Sequence, residues 1–123
     1  MTKYNLEERT VCFGEEIVKL CKNIPQGVIS KPIISQLVRS GTSVGANYME
    51  ANGASSYKDF RNKIFICKKE IQETKHWLRI MLSIAPDNKN NILILSKECQ
   101  ELILIFSKIS SSIQKNLSLK IEN

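Results

Sequence analysis

The stretch from Ser56 to Pro86 most constrains what this chain can fold into. It holds no glycine or proline between its ends. Phe60, Ile64, Cys67, Ile71, Leu78, Leu82 and Ala85 recur with roughly the 3.6-residue period of an α-helix. An apolar stripe of this kind on a helix must be buried against other helices. Ser56 is a good N-cap, with Asp59 three residues on as a near capping box, and Pro86 cannot continue the helix. The pattern predicts a helix over 56–85.

Three further segments supply the partners. Over 6–24, Leu6, Phe13, Ile17, Leu20 and Ile24 share a face. Asn5 is placed to cap this helix, and Glu7 and Glu8 suit the positive end of its dipole. Lys19 and Lys22 suit the other end, and the Asn23–Gly27 run stops it. Over 31–52, with Ser30 as the expected N-cap and Pro32 in the first turn, Ile33, Leu37, Val44, Tyr48 and Ala51 align, flanked by Ile34 and Gly41. Over 90–117, Leu95, Cys99, Leu102, Phe106, Ile109, Ile113 and Leu117 align, and the tail beyond is expected to fray. Short connections between such helices give an all-α, antiparallel up-down-up-down four-helix bundle, one domain over 1–123.

The second helix is unusual on its other side. Gln36, Arg39, Ser40, Ser43, Asn47 and Glu50 form a polar stripe among the small residues Gly41, Gly45 and Ala46. A solvated face is normally rich in Lys and Glu. Arg39, Ser43, Asn47 and Glu50 are therefore expected to form a structural polar network, largely buried, with Arg39 and Glu50 as a candidate internal ion pair. The apolar residues Ile66, Trp77, Ile80, Ile84, Leu93, Leu104 and Ile105 exceed what one core needs, which predicts a homo-oligomer.

Catalytic constellations are absent from the pattern. His76 is the sole histidine, and Glu73-x-x-His76 is the single match to a di-metal helical motif that needs two. No arginine precedes His76 at the spacing of a helical ribonuclease motif, and no phosphate-cradling Gly-rich loop leads into Lys-Ser/Thr. The expectation is a non-enzymatic protein without metal or cofactor. Cys12, Cys21, Cys67 and Cys99 form no C-x-x-C pair. The N-terminus has no signal-type apolar run, and no run of about 18 apolar residues could span a membrane. A cytoplasmic protein with reduced thiols is the reading that fits.

Charge is the remaining signal. The chain carries a formal +6, and the segment 55–85, with seven basic and three acidic residues, supplies most of it. Arg61, Lys68 and Lys75 are spaced by seven residues, with Arg79 one turn on. Cations about 10 Å apart along a helix can follow a phosphate backbone and gain from counterion release. No exposed aromatic for base stacking is assigned to this stripe. The plainer alternative is a solvated face on a protein-only scaffold.

Two runs carry a family resemblance. The first is Gln36-Leu37-x-Arg39-Ser40-x-x-Ser43-Val44-x-x-Asn47-x-x-Glu50, followed by Ser56-x-x-Asp59-Phe60. The second is Ile66-Cys67-Lys68-Lys69-Glu70-x-x-Glu73-Thr74-x-x-Trp77-Leu78. Together they resemble the bacterial four-helix bundle family named for proteins encoded in intervening sequences of large-subunit (23S) ribosomal RNA genes. They are also similar to the accessory variability determinants of diversity-generating retroelements. The resemblance implies a protomer that assembles into a homopentameric ring, with no known catalysis. For the retroelement relatives it implies a basic surface that engages RNA or DNA and a reverse transcriptase.

Overall fold

Helix boundaries follow local side-chain chemistry. The computed structural model describes residues 5–122, and side chains as far as Asn116. Its helices are α1 (Leu6–Lys22), α2 (Ser30–Asn52), α3 (Tyr57–Ile84) and α4 (Lys89–Glu122), with a 3₁₀ turn over Pro86–Asn88 before α4. The Asn5 side chain accepts the Glu8 N–H at 2.8 Å, and the Ser56 hydroxyl accepts the Asp59 N–H at 3.0 Å. Each satisfies an amide that the first helical turn leaves without a partner.

Three boundaries depart from expectation. Ser30 is not the N-cap of α2; Ile29 holds that position with no side-chain cap bond. The chain already turns at Gly27, whose carbonyl accepts the Lys31 N–H at 3.0 Å. The Ser30 hydroxyl instead stitches the loop, accepting from Gly27 N–H at 2.7 Å and donating to the Pro25 carbonyl at 2.8 Å. α1 stops at Lys22 because Asn23 and Ile24 donate back three residues, to Leu20 and Cys21. α4 extends past the expected end at Leu117 to Glu122, with no glycine or proline to break it. The expected core role of Leu117 lies outside the described side chains.

Contacts between helices fix the topology. Gly45 lies against Thr10, and Gly41 against Ile17. Ser40 bonds Thr74, Glu50 pairs with Lys63, and Lys75 reaches Gln100. One number rises as the other falls, so successive helices run antiparallel. Of the helices that neighbour one another in the bundle, α1 and α4 touch least, and a bidentate pair from Arg9 to Glu98, at 2.7 and 2.8 Å, clasps them. Phe13, Ile17, Leu37, Val44, Ile64, Ile71, Leu78, Ile92, Leu102 and Phe106 fill the core. The surplus apolar residues divide. Trp77, Ile84 and Ile105 are partly buried against this core, whereas Leu93 and Leu104 are exposed, the latter at 60%, joined by Ile94 at 66%.

Candidate nucleic-acid interface

The polar residues of α2 divide: Arg39, Ser40 and Glu50 link to α3, whereas Ser43 and Asn47 bond within α2. Arg39 and Glu50 do not pair. Eleven residues set them about 16 Å apart along the helix, beyond side-chain reach. Arg39 instead crosses to Glu70 at 3.1 Å and to Glu73, and Glu50 crosses to Lys63 at 2.6 Å. Trp77 adds an indole N–H to the same Glu73 carboxylate at 3.5 Å. Beneath them Thr74 and Ser40, both buried, share a hydroxyl bond at 2.9 Å. Ser43 and Asn47 are half-buried and spend their donors on their own helix, on the carbonyls of Arg39 and Ser43. Arg39 and Glu50 are exposed. The expected buried network of Arg39, Ser43, Asn47 and Glu50 is thus not formed; the buried polar residues here are Ser40, its α3 partner Thr74, and Glu70, the partner of Arg39, none of which belonged to that set.

The electrostatics of these links are plain. The Arg39 hydrogen bond holds the Glu73 carboxyl below its ordinary value, as the Arg9 hydrogen bond does for Glu98. Burial pushes the Cys21 thiol up to about 11 and those of Cys67 and Cys99 up to about 12. Such thiols stay protonated and unreactive at neutral pH. Among the described residues no three His, Cys, Asp or Glu side chains cluster as a metal site. The one histidine packs edge-on against Trp77, ring centres 4.9 Å apart.

The basic stripe lies along the seam between α3 and α4. Lys75 donates to Gln100 at 2.5 Å. Lys68 and Arg79 make no hydrogen bond or ion pair with another described residue. Arg61 is only half exposed, and its Nε is buried with no partner. The expectation that the stripe lacks aromatics is corrected. Phe65, 37% exposed, stands four residues after Arg61 and three before Lys68, in line with both. Tyr57, also exposed, stacks on Phe60 at 6.4 Å. The face thus reads Arg61, Phe65, Lys68, Gln72, Lys75, Arg79, without a carboxylate. The signal for Phe65 was its heptad position among the cations.

Across the seam α4 presents Ser107, Ser110, Ser111 and Gln114, which with Phe65 and Lys68 line a shallow notch of about 470 Å³. Sequence reasoning passed over these residues. Their signal was a cluster of serines, poor helix formers, at i, i+3 and i+4 in a helix interior.

A family model described as "23S rRNA-intervening sequence protein" matches residues 3–108. The chain belongs to the 23S rRNA-intervening sequence protein family. A solved structure agrees with the fold, at a TM-score of 0.76 and 29% identity, covering 86% of this chain and 98% of that one. It is described as a protein of unknown function from the S23 ribosomal protein family of Bacteroides thetaiotaomicron VPI-5482. No curated protein matches. The first run of the resemblance now has a structural meaning. Arg39 and Ser40 lock α2 to α3, Ser43 and Asn47 tie into their own helix, and Ser56 caps α3. In this intervening sequence protein the motif builds the helical hairpin that carries the basic face. No described helix is long and apolar enough to cross a membrane.

Proposed function

We propose that this intervening sequence protein is a non-enzymatic, cytoplasmic accessory protein that binds the backbone of RNA or DNA along the α3–α4 seam. The observation that carries the reading is the carboxylate-free line of Arg61, Lys68, Lys75 and Arg79 interrupted by the exposed ring of Phe65. Cations on phosphates position a strand without reading its sequence, and an aromatic between them offers a base a stacking surface. The protein works as a homo-oligomer, five copies being what the family resemblance implies. Repetition of the stripe in a ring raises avidity without a new type of contact. Within that reading a ribonucleoprotein or a reverse transcriptase is the partner class.

Charge reversal tests it. Arg61 is unsuitable because its Nε is buried. Lys68→Glu, Lys75→Glu and Arg79→Glu together reverse the stripe and leave the core untouched. Wild type should bind a structured RNA and a duplex DNA at low salt, with log affinity falling by about 0.9 per phosphate contact for each log unit of salt on the duplex. The triple variant should lose binding while keeping its helical circular dichroism. Equal binding by the variant, or none by wild type, overturns the proposal.

A second reading has its own support. Ile94 and Leu104 are widely exposed and Lys75 is already engaged by Gln100, as expected of a protein-only scaffold with a solvated basic face. Absence of nucleic-acid binding by an intact oligomer would favour it.

A further inference from the structure

The serines of α4 do not behave as helical hydroxyls usually do. A serine or threonine inside a helix normally donates to the carbonyl four residues back. Thr42, Ser43 and Thr74 do so here, at 2.7, 2.5 and 2.8 Å. Ser107, Ser110 and Ser111 bond to no described residue. Ser110 is the telling one. It is 7% exposed, and its hydroxyl is closed to solvent without a partner. A buried polar group left unpaired is costly, and the few that occur call for a reason. Ser110 lines the notch whose other walls are Lys68, Ser107, Ser111, Gln114 and Phe65.

We propose that this notch seats one phosphate group, toward which the Ser110 hydroxyl, closed to solvent in its present rotamer, turns about its Cα–Cβ bond to donate. The wall offers an ammonium, three hydroxyls and a side-chain amide, and no carboxylate. A cation would meet Lys68 and find no anion. A phosphate has acceptor oxygens in several directions and can take bonds from both helices at once. The surroundings reinforce the sign. Lys58, Lys69, Lys108 and Lys115 lie on the adjoining turns of α3 and α4, where the acids are Asp59 and Glu70, the latter buried and paired with Arg39. Phe65 on the rim offers a stacking surface to a base beside that phosphate. The phosphate is thus most naturally a nucleic-acid diester, a fixed register point on an otherwise non-specific stripe. In that form the inference rests on the nucleic-acid reading, while a free phosphate monoester shares the same chemistry.

The test uses the full chain and three proteins: wild type, Ser110→Ala and Lys68→Gln. Ser110→Ala exchanges an unpaired hydroxyl for a better helix former, so its melting temperature should hold or rise. The probes are a single-stranded oligouridylate and inorganic phosphate, titrated calorimetrically over a salt series. Affinity for the oligonucleotide should fall about tenfold in Ser110→Ala, the worth of one hydrogen bond, with an unchanged salt slope because no charge is lost. In Lys68→Gln both affinity and slope should fall. Unchanged affinity in Ser110→Ala overturns the notch and leaves the stripe standing. Should wild type ignore the oligonucleotide, the proposed function fails and inorganic phosphate decides the notch. Binding that Ser110→Ala weakens keeps it as a free-phosphate site, and no binding removes it.

Discussion

Glu98 shows how much one side chain carries in this protein. Its two oxygens take both arms of the Arg9 guanidinium, the main polar tie between the first and last helices. That bond, foremost, holds the carboxyl below its ordinary value. A lowered native value means that the group adds stability above its unfolded-state value and loses it as pH falls toward the native one. The melting temperature should therefore be flat near neutrality and drop below about pH 4.5, where unfolded carboxylates begin to take up protons. Glu98→Gln should give a lower but flatter profile over that acid range, measured by thermal circular dichroism. A variant as acid-sensitive as wild type would show that the clasp is not responsible. At this scale the sequence was only partly legible. Capping by Asn5 and Ser56 could be read because it depends on neighbours three residues away. The partners of Arg39 and Glu50 could not, because they lie across a helix interface whose register no local pattern states. Ser110 and Phe65 escaped for the opposite reason: each looks ordinary until the facing helix shows whether it has a neighbour.

Between elements, α1 and α2 approach so closely that glycine is required at some positions and not at others. A methyl at Gly45 would stand 3.2 Å from the Thr10 carbonyl oxygen and 3.3 Å from the Val11 nitrogen, both backbone atoms that cannot swing aside. At Gly14 it would meet Thr42 at 3.4 Å, an ordinary contact. Gly45→Ala should then cost about 1–3 kcal/mol through overpacking. Gly14→Ala should be neutral or stabilising by up to about 1 kcal/mol, the helix preference of alanine over glycine. Chemical denaturation of the two variants checks the contrast, and equal effects would sink it. The small residues of α2 were visible in the sequence, and the structure sets Gly41 and Gly45 against α1. Apolar periodicity likewise placed all four helices. Their ends moved where a backbone turn overrode a good capping side chain, at Gly27, or closed a helix early, after Lys22, and where nothing broke α4 before Glu122.

The whole molecule exposes more apolar surface than its own core can use, with Leu93, Ile94 and Leu104 outward along α4. Assembly of identical copies through this side would cover it. Light scattering should return a closed multiple of the 14.0 kDa chain, five being the number the family resemblance implies. Ile94→Glu with Leu104→Glu should shift it toward monomer without loss of helix. A wild-type monomer at micromolar concentration would refute the assembly. The chain's contacts also carry a kinetic meaning. Nearly all of them join helices adjacent in sequence, most extensively α2 with α3, and few join α1 with α4. Local connectivity of this kind makes for fast folding, because little loop entropy is lost before contacts repay it. The α2–α3 hairpin, with Ser40 bonded to Thr74 at its centre, is the natural nucleus. The clasp from Arg9 to Glu98 joins distant parts of the chain, so it should close late and open early, and Glu98→Gln should speed unfolding more than it slows folding in stopped-flow measurements.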